Sequence, residues 1–459
     1  MKRYAIIFII PILLLACKKS IQVDPPINPI VSEVVFGNDS SAISSLTGIY
    51  FEMMNGSNGA TQFSSSGITI FTGMYSDELR YFAPSFRDEF QKSFLSQGSH
   101  DLLVSFLWDR AYRYIYTANV CMEGLNKSTK LTSSIKTRLL GEALFIRAFC
   151  YFHLVNIFGA VPMPLTGDYR VNITLGRSSE SEVYDRIIKD LKEAQTYLPD
   201  TYDNSGRIRP IKWAATALLA RVLLYQGDWA GAEDQSSSVI NSAHFILLSD
   251  PAFVFRKESR ETIWQLFPSN TPINTFEGGL FIPSSSGAVP GYLMTDSLLK
   301  AFEMGDSRRL KWVGARIYSG YPDSLYYPAK YKVRTAIAIS ENYVVLRLAE
   351  QYLIRSEARA RQNKLTEAQD DINKIRNRAG LENTTAMSLQ DLLAAIERER
   401  RIELFAEWGN RWYDLKRTNR ANEVLGLMKP ATWKSTATLW PIPISQIRAN
   451  PALTQNPGY

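Results

Sequence analysis

The sequence predicts a mainly α-helical protein in which tetratricopeptide-like helix pairs support a loop-rich, aromatic stretch suited to binding. Three observations carry this. Long segments place apolar residues at helical spacing. Two stretches read as helix–turn–helix units with small residues where paired helices must approach closely. Between those units lies a stretch with no helical period, rich in Pro, Gly, Ser and aromatic residues.

Residues 101–127 and 135–158 carry the helical pattern, the second through Leu139, Leu140, Ala143, Ile146, Phe149, Phe152, Val155 and Phe158. It stops at Gly159, with Pro162 and Pro164 beyond, an arrangement that ends helices. Ser178–Leu198 is a further helix, opened by capping and acidic residues and closed by Pro199. Trp213 to Gln226, a Gly227-Asp228 turn and a helix from Trp229 form one helix–turn–helix unit, with Ala220 and Ala232 at the close approach. Residues 352–378 repeat it, placing Ser356 on Ala220, Asn363 on Gly227 and Ala368 on Ala232. A last long helix is expected near 389–408. There Arg398, Arg400 and Arg401 alternate with Glu397, Glu399 and Glu403, the pattern of a solvated face laced with i,i+4 ion pairs. Trp213, Trp229, Trp408 and Trp412 sit in helix-pair or terminal-helix positions and are expected in the core.

The 459 residues are 45% hydrophobic and 21% charged, a globular composition. The net charge of +7 falls to +5 once Lys2 and Arg3 are set aside, and no Lys/Arg run accompanies it, so no nucleic-acid partner is expected. No nucleophile elbow, zinc-protease motif, C-x-x-C, Walker loop or dinucleotide fingerprint is present. The reading is therefore a binding protein rather than an enzyme, with no cofactor and no metal. His100, His153 and His244 are widely spaced, and His153 lies on a strongly apolar helix as a core residue. Asp77-Glu78 is the best nominee for a glycosidase carboxylate pair. The preferred reading of Asp77 is a loop cap or an acceptor for sugar hydroxyls. Cys121 and Cys150 flank the turn near Leu131 with an offset of about nine residues, ~13 Å along a helix. That is too far for a disulfide, so both are expected as buried free thiols.

The N-terminus reads Lys2-Arg3, an apolar run from Ala5 to Leu15, then Ala16-Cys17, the form of a secretory signal. The run is shorter than the about 20 residues that span a bilayer. Leu14-Leu15-Ala16-Cys17 resembles the lipobox of bacterial lipoproteins, whose cysteine is acylated after cleavage. Residues 1–16 are thus expected to be removed and 17–40 to form a lipidated tether.

Sugars present apolar C–H faces and many hydroxyls. Flat aromatic rings suit the first, and nearby Arg, Asn or Asp the second. In the loop-rich stretch 245–345, Trp312 is the leading platform, joined by Tyr292, Tyr318 and Tyr321. A second irregular stretch, Asn55–Ser99, contributes Asp77.

Several segments together resemble the SusD/RagB family of outer-membrane nutrient-binding lipoproteins. Glu142 to Phe149, followed by Phe158-Gly159-Ala160-Val161-Pro162, is similar to the family's first long helix and its exit. Arg398 to Glu407, running on to Arg411-Trp412-Tyr413-Asp414-Leu415-Lys416-Arg417, is similar to its C-terminal helix. Trp440-Pro441-Ile442-Pro443 and Asn450-Pro451 to Tyr459 are similar to its terminus. The resemblance divides the mature chain into 41–245 and 246–459. It implies four tetratricopeptide-like pairs, capture of an oligosaccharide or peptide, and a TonB-dependent, SusC-like barrel as partner, with the lipoprotein as its lid. It also places Arg80 and Tyr81 among the ligand loops. Related surface lipoproteins carry acidic residues after the cysteine, where this chain has Lys18-Lys19. The other function considered is a peptide-binding or adaptor surface protein of tetratricopeptide-like build.

Overall fold

The computed structural model describes residues 33–54, 62–85, 87–96, 101–203, 206–268, 272–321 and 323–459. Cys17 and His100 lie outside the described residues. The elements are helices α1 (Asp39–Met54) and α2 (Gly67–Tyr75), strand β1 (Leu79–Tyr81), and helices α3 (Asp88–Lys92), α4 (Asp101–Lys127), α5 (Ser133–Phe158), α6 (Tyr169–Asn172), α7 (Glu180–Tyr197), α8 (Lys212–Gln226) and α9 (Trp229–Asn241). Then follow β2 (Thr262–Leu266), α10 (Phe276–Phe281), β3 (Tyr292–Met294), α11 (Asp296–Ala301), α12 (Ser307–Lys311), β4 (Val313–Arg316), β5 (Leu325–Pro328) and β6 (Tyr343–Arg347). The chain closes with α13 (Leu348–Arg361), α14 (Leu365–Arg378), α15 (Leu389–Glu403), α16 (Asn410–Arg417), α17 (Ala421–Met428) and α18 (Ile444–Ala449).

Helices α4, α5, α7, α8, α9, α13, α14 and α15 pack in succession, each on its neighbour. Eight stacked helices are the four-pair scaffold expected from the sequence. Local chemistry sets their ends. Ser179 caps α7 in a capping box with Glu182, the Glu182 carboxylate accepting from the Ser179 amide at 2.8 Å. The side chain of Asp228 accepts from the Gly231 amide at the start of α9. The two helix–turn–helix units superpose in register as predicted. Gly227 (φ 74°) and Asn363 (φ 62°) both take the left-handed conformation that turns one helix into the next. Ala220, Ala232, Ser356 and Ala368 are all buried at the contacts.

Helix α5 is long and apolar enough to span a membrane, with a mean hydropathy of 1.3, yet it is the buried centre of the scaffold. Its buried charged side chains each have an ion-pair partner, which is the condition for burying charge. Glu142 pairs with Arg209 at 2.7 Å and accepts from the Tyr50 hydroxyl at 2.9 Å. Arg147 grips Asp190 through two hydrogen bonds, 2.7 and 2.9 Å. The His153 Nδ1 lies 2.9 Å from the Tyr413 hydroxyl, and burial holds that imidazole neutral. Cys121 and Cys150 are buried free thiols, as expected.

Four sequence expectations are corrected. The irregular stretch Asn55–Ser99 contains α2, a helix buried along its whole length. Its nine residues are apolar all round and give no amphipathic signal. The stretch 245–345 holds five of the six strands, paired antiparallel as β1–β3, β2–β6 and β4–β5. The last long helix stops at Glu403, because Ala406, Trp408 and Gly409 have φ of 50°, 48° and 78°. Finally, the alternating charges of 397–403 are, Arg398 apart, not a solvated face. Arg400 pairs with Asp414, and Glu403 is held by Arg308, Arg347 and Arg378, all at most a few per cent exposed. Tertiary partners from α12, β6 and α14, invisible to i,i+4 reasoning, convert the pattern into a core network. Of the four tryptophans assigned to the core, Trp408 and Trp412 are buried and Trp213 and Trp229 half-buried.

An aromatic face on two strand pairs

Two small ribbons lie side by side over the helical scaffold, with β3 of one packed against β5 of the other. In the first, Arg80 stands opposite Leu293 and Tyr81 opposite Tyr292, and the Phe82 amide continues the ladder to the Gly291 carbonyl at 3.0 Å. In the second, β4 and β5 are joined by the loop 317–324. There Gly314 faces Tyr327, whose ring lies so close that a Cβ at 314 would overlap it. The loop is pinned by a turn in which the Tyr321 amide bonds the Tyr318 carbonyl at 3.1 Å.

This arrangement brings most of the expected residues together. The Tyr81 ring meets the Tyr292 ring edge-on at 5.0 Å. The Arg87 guanidinium sits 4.7 Å over the Tyr81 ring. Phe82 contacts Tyr321 at 5.4 Å, and Tyr321 contacts Tyr318 at 5.8 Å. Tyr321 is 44% exposed, Arg80 is exposed, and Tyr81, Phe82 and Tyr318 are half-buried. A surface aromatic cluster with Arg87 over one of its rings thus spans two ribbons far apart in sequence. Arg80, adjacent to Tyr81 on β1, points to the other face of the ribbon. Sequence reasoning missed Phe82 and Arg87. Phe82 directly follows Tyr81 in the chain, and that adjacency was the available signal.

Three expected residues are placed elsewhere. Trp312 is not a platform: it is fully buried, donates its indole N–H to the Pro251 carbonyl at 2.8 Å, and lies under the Lys330 ammonium at 4.6 Å. Phe255 and Phe405 flank it. It fastens the loop region to the charged core beneath it. Tyr292 is 3% exposed and supports Tyr81 from below. Asp77 is buried and committed to Arg411, by two hydrogen bonds of 2.8 and 3.1 Å, and to Arg401 at 2.7 Å. Burial alone would raise the Asp77 pKa, but the Arg411 and Arg401 charges outweigh it and hold the carboxyl below its usual value. Its neighbour Glu78 is pushed up to about 8, by burial first and then by the Asp77 charge. The two carboxyls therefore serve the interior, and neither faces the aromatic cluster as a sugar-hydroxyl acceptor.

Stacked helix pairs carrying an aromatic loop face define a helical scaffold of the tetratricopeptide-like class. A family model described as "Starch-binding associating with outer membrane" matches residues 80–224, and one described as "SusD family" matches 303–459. The chain belongs to the SusD/RagB family. A SusD-like protein of Formosa agariphila is 29% identical over 427 residues, covering 79% of this chain and 82% of the relative. The starch-binding protein SusD of Bacteroides thetaiotaomicron is 24% identical over 424 residues, 73% of this chain and 75% of that protein. Among solved structures, a SusD superfamily protein from Bacteroides vulgatus matches with a TM-score of 0.81, 23% identity, and coverage of 92% of this chain and 100% of that one. A laminarin-binding SusD-like protein matches at 0.76, with 24% identity and coverage of 92% and 100%.

Proposed function

We propose that this protein captures an oligosaccharide or polysaccharide at the aromatic face and passes it to a TonB-dependent, SusC-like transporter, over which it closes as a lid. It is held at the outer membrane, facing the exterior, by acyl chains on Cys17. It is a binding protein and not an enzyme. The observation that carries the glycan reading is the contact of exposed Tyr321 with Phe82 and Tyr318, with Tyr81 and the Arg87 guanidinium over it next along the chain. Such a surface offers flat apolar area for the C–H faces of a sugar and donors for its hydroxyls. The family description, "associating with outer membrane", supports the location, and the starch- and laminarin-binding names of relatives support the ligand class. The lipobox ending at Cys17 supports the anchor, since each buried CH₂ of an acyl chain contributes roughly 0.8 kcal/mol.

A glycan array probed with the purified protein tests the ligand class. Binding to glycans that Tyr321→Ala loses supports the reading, and a blank array refutes it. Metabolic labelling with a fatty-acid analogue tests the anchor: label must disappear in Cys17→Ser.

A further inference from the structure

Helix α11 follows the β1–β3 ribbon, from Asp296 to Ala301. Between its end and α15 lies a cleft of about 550 Å³, bordered by Ser297, Lys300, Phe302, Glu303, Arg398 and Arg401. That volume suits a sugar-sized ligand. Three cations and one carboxylate line it, and the carboxylate is spoken for: Glu303 is gripped by Arg376 through hydrogen bonds of 2.7 and 3.0 Å. Lys300 and Arg398 are exposed and enter no salt bridge among the described residues.

Arg401 is mostly buried at the cleft wall. Its Nη2 donates to the Ser297 hydroxyl at 2.8 Å and pairs with Asp77 at 2.7 Å, while its Nε is buried without a hydrogen-bond partner. Arg401 thus brings its charge to the cleft wall already tied to Ser297 and Asp77, and the two exposed cations, Lys300 and Arg398, are left to meet a ligand. Like charges gathered around one hollow repel each other, and an anion between them removes that repulsion. Guanidinium groups suit the planar or forked oxygens of carboxylates and sulfates. Phe302, half-buried on the same rim and packed on Phe405, supplies an apolar wall.

We propose that this cleft is a second binding site, separate from the aromatic face, for the anionic group of an acidic sugar, a carboxylate or a sulfate ester. The sugar half of the assignment rests on the glycan reading above, whereas the anion half stands on the cleft itself.

Ligand-observed NMR titrations of the full chain in nonionic detergent micelles, with glucuronate, glucose 6-sulfate and glucose as probes, test it. At least one charged probe is expected to bind at least tenfold more tightly than glucose, and whichever binds more tightly names the anion. The affinity falls severalfold between 50 and 500 mM salt, roughly as screening dictates for exposed charges. The double variant Lys300→Glu/Arg398→Glu weakens it at least tenfold while melting like wild type, both residues being exposed. Tyr321→Ala leaves it unchanged. Charged probes that bind no better than glucose, or that bind the double variant equally well, overturn the proposal. Loss of charged-probe binding in Tyr321→Ala also overturns it, since the anion would then sit at the aromatic face. Neutral-glycan binding that Tyr321→Ala leaves intact refutes the aromatic-face reading and leaves the cleft standing.

Discussion

Asp77 and Arg411 are 334 positions apart, yet the Arg411 guanidinium donates to both oxygens of the Asp77 carboxylate, at 2.8 and 3.1 Å. The pair ties the residues just before β1, and so the aromatic ribbon, to the α16 helix of the scaffold. Asp77 shares its second oxygen with Arg401. Replacing it by Asn would leave the mostly buried Arg401 without its ion-pair partner and Arg411 with Glu397 alone, at 3.0 Å. Removing one partner of a buried pair costs about 3–5 kcal/mol. Asp77→Asn is therefore expected to lower stability by that order in chemical denaturation, whereas Arg80→Ala, at an exposed position, changes it by less than about 0.5 kcal/mol.

Trp312 gives a prediction opposite to the one its loop position suggests. Fully buried, with its N–H satisfied by Pro251, it behaves as core. Trp312→Ala should cost about 3–5 kcal/mol of stability. A variant that melts like wild type but binds glycan poorly would return Trp312 to the ligand face.

The left-handed turn at Asn363 predicts a contrast between two substitutions. At φ 62° glycine is free of strain and a β-branched residue is not. Asn363→Gly should be near neutral, and Asn363→Val should cost about 1–2 kcal/mol in thermal or urea unfolding. Equal stabilities would mean the turn does not hold that conformation.

Glu277 predicts a pH dependence. It is fully buried, accepts a hydrogen bond from Tyr343 at 2.6 Å, and burial pushes its carboxyl up to about 8. Below pH 4.5 it is protonated in the folded and unfolded chain alike. Between about 4.5 and 8 only the unfolded chain ionises, so this residue lowers stability as pH rises, by up to about 1.4 kcal/mol per unit. Above about 8 the effect levels off. Glu277→Gln removes it, so its stability relative to wild type should climb from pH 5 to pH 8. A difference independent of pH would mean that Glu277 ionises normally in the folded protein.

The scaffold was legible because its signals are local. Helical spacing, the Gly159 and Pro199 stops, and the match of Asn363 to Gly227 each need only a few neighbouring residues, and all appear in the structure. What depended on distant partners was not legible. Glu399 and Glu403 look solvated on a helical wheel and are buried only because Arg308, Arg347 and Arg378 arrive from other elements. The ligand face was legible in part for the same reason. An aromatic-rich loop announces a cluster, but whether a ring points out, as Tyr321 does, or in, as Trp312 does, is decided by what lies beneath. In this chain a second core of ion pairs lies there, reaching Trp312 through Lys330.

The account rests on Tyr321 as the exposed ring of the ligand face. The most direct test is calorimetric titration of wild type and Tyr321→Ala with the glycan selected on the array, alongside their melting temperatures. A ring stacked on a sugar contributes on the order of 1–3 kcal/mol by its buried apolar area. The variant should therefore bind roughly tenfold or more weakly, with a melting temperature within a degree or so of wild type, because Tyr321 is 44% exposed and its ring contacts among the described residues are with Phe82 and Tyr318. Unchanged affinity in Tyr321→Ala would contradict the assignment of this face as the binding site.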